Sequence, residues 1–215
     1  MMVSSANDPR KAGTIWVLDL AEDFPVIMPL VDAVLGRAGP EAAPELAAIM
    51  EGVTYTEILG RFESGRRCYT ARVEEKLVAY GWVSFDEEYV GELRLRLRLK
   101  PKEAYIWDCA TIPAFRRQGL YSSLLSLILQ DLRRNSRLER VWIGANLDNE
   151  PSQHGIARAG FHRVAGLVVE RVLGMRMVWV EGWPGVPDAL VDEARRVFLD
   201  DRDKIWHSAF SHAAS

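Results

Sequence analysis

Cysteine is scarce. Cys68 and Cys109 are the only two in 215 residues, and neither has a neighbour at metal-ligand spacing. No disulfide framework and no metal site is expected; both residues read as reduced thiols in a cytoplasmic protein. Long apolar runs are also lacking. No stretch reaches the roughly 18 apolar residues of a membrane span, and the polar residues 1–12 contain no apolar core of the kind a signal peptide carries. Positive charge is not in excess, since 27 Lys and Arg stand against 30 Asp and Glu, a formal net charge of −3. Nucleic-acid binding by bulk electrostatics is therefore not expected, and any anion site must be local.

What remains is the composition of an ordinary globular protein, 48% hydrophobic and 27% charged. The length suits one domain, or one domain plus an extension. Residues 14–20 (TIWVLDL) read as a first strand. After Asp23, the spacing of Val26, Met28, Leu30, Val31, Val34 and Leu35 predicts a helix that stops at Gly36. Residues 44–50 and 55–62 suit short helices, and 68–73 and 77–85 suit two strands joined by a tight turn at 74–76. Over residues 92–100, Leu93, Leu95, Leu97 and Leu99 alternate with Arg94, Arg96, Arg98 and Lys100, a strand with one buried and one cationic face. That cationic face either binds an acidic acceptor or is a solvated edge that resists aggregation.

Strand 104–111, helix 119–132, strand 140–145, short helix 152–159 and strands 161–171 and 176–180 complete a mixed sheet with helices on both faces. Pro184 to Pro187 is a linker. Residues 189–210 form a last amphipathic stretch, packed on the domain or on a second subunit. Its acidic residues, among them Asp192, Glu193 and Asp200, argue against a membrane-surface helix.

The most informative stretch is YIWDCATIPAFRRQGLYSSLL, residues 105–125. A strand runs into Pro113 and an arginine-rich turn, followed by Gly119 and an apolar helix. A glycine at a helix start lets a ligand approach the backbone closely. Unpartnered N–H groups and the helix dipole favour an anion there, and Arg116 and Arg117 bring guanidinium groups suited to phosphate oxygens. The loop lacks the Lys-Ser/Thr pair of a nucleotide P-loop and the glycine set of a dinucleotide fingerprint.

On these residues the sequence resembles the GNAT superfamily of acyl-CoA N-acyltransferases. Arg116 and Gly119 match that family's Arg/Gln-x-x-Gly-x-Gly/Ala motif, with Tyr121 in the last position. Asn149, Ser152, Gly160 and Phe161 fall at the spacing of its second strand–helix unit. The resemblance implies an α/β fold with a mostly antiparallel mixed sheet, a central splayed parallel strand pair and helices on both faces. It implies a domain over residues 1–182, leaving 183–215 as a helical extension. It further implies acetyl-CoA, or another acyl-CoA, as co-substrate. Backbone groups of Cys109, Ala110 and Thr111 would pair with the pantetheine. The segment Arg117, Gln118, Gly119, Leu120, Tyr121 and Ser122 would hold the pyrophosphate with Arg116 nearby, and Asn149 and Ser152 would meet the pantetheine from the other side. Ile156 stands where many members carry a tyrosine that protonates the leaving thiolate.

Acyl transfer to an amine requires a neutral amine, although a lysine-type amine has a pKa near 10.4. It also requires a stabilised oxyanion and a tolerated thiolate. Asp108 is a candidate base, or else a charged anchor, a sheet-end carboxylate or the partner of an arginine on the neighbouring strand. His154 and Tyr121 are candidate acids. Cys109 as an acylated nucleophile is the weaker alternative to a buried small residue. The expected activity is transfer of an acetyl or short acyl group to a small-molecule amine in a ternary complex, with a homodimer as a candidate assembly. The alternatives are a non-catalytic acyl-CoA-binding or regulatory module, and a longer-chain or carrier-protein-dependent acyltransferase.

Overall fold

A computed structural model of the chain describes residues 11–90, 95–135, 137–172 and 175–199. Its frame is an eight-stranded sheet. In chain order the strands are β1 (Lys11–Asp19), β2 (Val34–Ala38), β3 (Arg67–Val73), β4 (Lys76–Ser84), β7 (Glu103–Thr111), β8 (Arg140–Asn146), β9 (His162–Val172) and β10 (Met175–Gly182). They lie side by side as β10-β9-β1-β8-β7-β4-β3-β2. Every neighbouring pair is antiparallel except β7 and β8, which are parallel. β5 (Glu87–Val90) and β6 (Leu95–Arg98) form a separate antiparallel hairpin. The helices are α1 (Ala43–Ile49), α2 (Tyr55–Glu63), α3 (Leu120–Arg133), α4 (Glu150–Arg158) and α5 (Asp188–Phe198). The expected α/β class, with one parallel pair inside an otherwise antiparallel sheet, is what forms.

Local chemistry accounts for the elements. Thr54 and Glu57 close a reciprocal capping box at the start of α2. The β3–β4 turn places Glu74 and Glu75 at φ 48° and 65°, the left-handed geometry of a two-residue hairpin. On one sheet face, Leu120, Leu124, Ile128 and Leu132 of α3 and Ile156 of α4 join Ile106, Val141 and Ile143 in one core. On the other, Leu97 and Leu99 of the hairpin segment and Ala194, Val197 and Phe198 of α5 pack with Ile15, Tyr105, Trp142 and Leu167. Residues α1 and α2 supply, Leu46 and Ile58 among them, bury against Cys68, Leu77 and Trp82.

One expected element is absent. Residues 21–33 are not helical, and β2 begins at Val34. Pro25 and Pro29 are the reason. Each lacks an N–H and biases the preceding residue toward extended backbone, and Pro29 would clash with the carbonyl four residues back. The segment instead runs extended over α3. Ile27 N–H donates to Ser126 Oγ (3.0 Å), Ser126 Oγ–H donates to the Pro25 carbonyl (2.9 Å), and Leu30 N–H donates to the Gln118 carbonyl (2.9 Å). Val26, Met28, Leu30 and Val34, assigned to a buried helix face by the spacing, are exposed.

The alternating Leu/Arg segment is a strand over Leu95–Arg98, with Leu97 buried and Arg96 exposed. Arg96 pairs with Glu87 across the hairpin at 3.0 Å, which favours the solvated-edge reading of that face. Arg94 lies outside the described residues, as do residues 200–210 of the expected final helix.

Candidate active site

The site begins with a bulge. In the β4–β7 ladder Tyr80 faces Ala110 and Trp82 faces Trp107, so the two residues Asp108 and Cys109 stand opposite the single Gly81. Asp108 takes φ 44°, a left-handed conformation that aspartate tolerates better than most residues. Gly81 makes room for the extra residue, since a Cβ there would lie 2.8 Å from Cys109 Sγ.

Beyond the bulge the parallel pair opens. β7 and β8 are in register from Glu103–Arg140 to Ile106–Ile143 and no further. Past that point β7 pairs only with β4, up to Thr111, and β8 only with β1, up to Asn146. Two strand edges therefore face each other with their hydrogen-bonding groups turned into a gap. A cavity of about 510 Å³ fills it. On the α3–α4 side it is lined by Cys109, Tyr121, Asn149 and Ser152. On the other side its walls include Ile15, Tyr89, Val90, Leu97, Leu167 and Phe198, and Arg61 and Asp108 also line it.

Ala110 and Thr111 continue β7 past this cavity toward the loop. There Arg117 and Gly119 both take positive φ, 64° and 75°. Gly119 is the N-cap of α3 and supplies no side-chain cap; the first intrahelical bond is from Ser123 N–H to the Gly119 carbonyl. The N–H groups of Leu120, Tyr121 and Ser122 thus precede the helical ladder, at the positive end of a 14-residue helix dipole. Arg116 and Arg117 are exposed beside them, Arg116 Nε donating to the Thr111 carbonyl (3.2 Å). Gln118 is tied to Leu30. Asn149 caps α4 by accepting from Ser152 N–H (3.2 Å).

The three proton-handling candidates separate. Asp108 lines the cavity, and its Oδ2 accepts from Arg61 Nη1 at 2.6 Å. The arginine sought as a partner is thus on α2 rather than on a neighbouring strand. Tyr121 also lines the cavity, its ring close against α4 where Gly155 has no side chain; burial pushes its phenol well above the ordinary value. His154 is exposed on α4 and is not among the lining residues. Burial, with the Asp108 charge adding to it, raises the Cys109 thiol, so a nucleophilic thiolate is disfavoured there. Burial likewise pushes the Cys68 thiol up to about 12. Ile156 is fully buried core.

Sequence reasoning missed Arg61 and the aromatic frame around it. The Arg61 guanidinium lies 4.5 Å from the Trp107 ring centroid and 5.1 Å from that of Trp82. Trp107 Nε1 donates to Ser84 Oγ (2.8 Å), which in turn donates to the buried Glu88. Glu88 is held by Arg66 Nε at 2.7 Å, so the hairpin that brings Tyr89 and Val90 to the cavity is anchored. Arg61 sits on the amphipathic helix α2, where nothing local distinguishes it from a solvated arginine.

Residues 39–161, more than half of the chain, match the family described as the acetyltransferase (GNAT) family. Among curated proteins no relative matches by sequence. Among solved structures, a GNAT-family acetyltransferase from Novosphingobium aromaticivorans aligns at 18% identity over 74% of this chain and 62% of its own, with a TM-score of 0.51. A tandem GNAT protein from the clavulanic acid biosynthesis pathway aligns at 23% identity over 74% of this chain and 53% of its own, with a TM-score of 0.50. These likenesses concern the fold, and the chain spans little more than half to three-fifths of those two relatives. With the splayed parallel pair, the bulge opposite Gly81 and the arginine–glycine loop at the start of α3, the sequence match places this chain in the acetyltransferase (GNAT) family.

Proposed function

We propose that the protein transfers an acetyl or other short acyl group from coenzyme A to the amine of a small molecule, within a ternary complex built across the β7–β8 gap. The observation that carries this reading is the continuity of the gap with the start of α3. An opened strand edge for an amide-bearing arm leads directly to a glycine-capped anion site. On this reading Arg116, Arg117, Gln118, Gly119, Leu120, Tyr121 and Ser122 hold the pyrophosphate. Cys109, Ala110 and Thr111 pair with the pantetheine, and Asn149 and Ser152 face it from β8's side. The acyl-CoA supplies the activated carbonyl as a thioester. Residues 1–182 form the transfer domain, and α5 of the extension adds Phe198 to the acceptor wall.

The chain's own groups handle the protons. Asp108 Oδ1 receives the proton of the attacking nitrogen, directly or through one water, as the C–N bond forms. The strand bulge offers backbone N–H groups to the carbonyl oxygen as it gains charge. Tyr121 gives its phenolic proton to the sulfur as the C–S bond breaks. A phenol pushed above its ordinary pKa stays protonated at neutral pH, so it is available as a donor and unavailable as a base. It stands in for the tyrosine that Ile156 does not provide. Solvent returns a proton to Tyr121 and removes one from Asp108.

Free-thiol release from acetyl-CoA, measured against a panel of primary amines, tests the reading. Amine-dependent release supports it. Calorimetric binding of acetyl-CoA with no release for any amine would support the non-catalytic module instead.

A further inference from the structure

We infer that the acceptor is an α-amino acid with an apolar side chain, its carboxylate held by Arg61 and its amine turned to Asp108. The inference rests on the acyl-transfer reading and adds the chemical class of the acceptor. Arg61 and Asp108 are the only charged side chains lining the cavity among the described residues. They share a single hydrogen bond, Nη1 to Oδ2. Arg61 Nε and Nη2 and Asp108 Oδ1 take no further hydrogen bond among the described residues, and the two side chains keep 17% and 29% of their exposure. One edge of a guanidinium and one oxygen of a carboxylate, on two paired residues that both line the cavity, are thus left without hydrogen-bond partners among the described residues.

Arg61 is fixed for such a role. Its guanidinium carbon lies over the indoles of Trp107 and Trp82, a cation–π seat that holds the group in place, and its planar fork of N–H groups suits a planar acceptor such as a carboxylate. The dyad is neutral overall with its two signs adjacent, and the ligand that mirrors this is a zwitterion whose own two charges are one carbon apart. A plain monoamine would cover Arg61 and leave its donors without partners. A polyamine would meet one carboxylate, already paired, and no other. One stretch of the wall, Ile15, Tyr89, Val90, Leu97, Leu167 and Phe198, is apolar apart from one phenol and suits an aliphatic or aromatic side chain, while Thr14, Tyr105 and Asn146 also line the cavity. The volume of about 510 Å³ is shared with the acyl-bearing arm, which leaves room for one compact molecule.

Initial rates of thiol release from acetyl-CoA would be compared for L-phenylalanine and L-leucine against their decarboxylated partners, phenethylamine and isoamylamine, and against spermidine. The expected kcat/KM is at least about tenfold higher for each amino acid than for its partner, the scale of one charge-assisted hydrogen bond. In Arg61→Gln that ratio falls by about tenfold or more, while spermidine stays poor with either protein. Equal or better turnover of the decarboxylated amines by the parent protein overturns the inference whether or not the variant folds. So does transfer to phenethylamine, isoamylamine or spermidine with none to either amino acid. Loss of the acyl-transfer reading itself is read separately, as no thiol release with any of these amines, whether or not acetyl-CoA binds.

Discussion

Gly155 and Tyr121 fit each other across the α3–α4 contact: a Cβ on Gly155 would lie 2.5 Å from Tyr121 Cδ1 and 2.8 Å from Cε1. The large residue in the loop motif is thus accommodated by a missing side chain 34 positions later, and its ring is directed to the cavity. Gly155→Ala should push the ring out and lower kcat much as Tyr121→Phe does, by about 10²-fold or more if the phenol is the acid. Calorimetry should find acetyl-CoA binding within a few-fold of the parent for Tyr121→Phe. A fully active Tyr121→Phe enzyme would remove the phenol from the chemistry.

At the start of α3, Gly119 takes φ 75° with Arg116 close by in the loop, at the proposed anion site. Gly119→Val places a β-branched residue where such residues are outliers and crowds Leu30, whose Cγ would lie 3.4 Å from the new Cβ. A folded Gly119→Val protein should bind acetyl-CoA far more weakly than the parent. Arg116→Ala removes a charge-assisted contact of about 1.5–3 kcal/mol, or roughly 10- to 150-fold in Kd. A loss below threefold by calorimetry places Arg116 outside the phosphate site.

Asp108→Asn tests the base. It keeps the size and much of the bonding to Arg61 while losing basicity, and kcat should fall about 10²–10⁴-fold near neutral pH. The deficit should shrink as pH rises, because more of the amine is then neutral without help. A pH-independent deficit would make Asp108 a positioning group only.

The buried thiols and phenols make an alkaline prediction about stability. Burial raises Cys68, Tyr69, Tyr80, Cys109 and Tyr121 above their ordinary values of 9.0 and 10.0. When pH passes those ordinary values, the unfolded chain gives up protons that the folded chain keeps, so the unfolded state gains and stability falls. Tm should hold through about pH 8 and drop between about pH 9 and 11. A Tm constant to pH 11 would contradict the burial of these groups.

Most of the frame was legible because period-two alternation and turn chemistry are local: β3, β4, β7, β8 and the start of α3 lie where the residues put them. The segment after Asp23 has the apolar spacing of a helix, but Pro25 and Pro29 forbid one and it runs extended. The candidate loop could be read from Arg116 and Gly119, since the two stand three residues apart at the start of one apolar helix. The Arg61–Asp108 pair could not, because 47 residues separate the partners and only the register of β7 against β4 and the seat of α2 bring them together. The accommodation of Tyr121 by Gly155 is of the same kind. Each residue is ordinary in its own segment, and the fit exists only between helices.

Acyl transfer itself is tested most directly by mass spectrometry of the acceptor. The purified protein is incubated with acetyl-CoA carrying an isotopic label in the acetyl group, together with a pool of small amines and amino acids. The expected result is a labelled acetyl group on the nitrogen of one class of acceptor, in proportion to free thiol, and absent with Gly119→Val. Acetyl-CoA that binds to the parent protein yet leaves no labelled nitrogen on any acceptor in the pool would contradict an acetyltransferase acting on small-molecule amines.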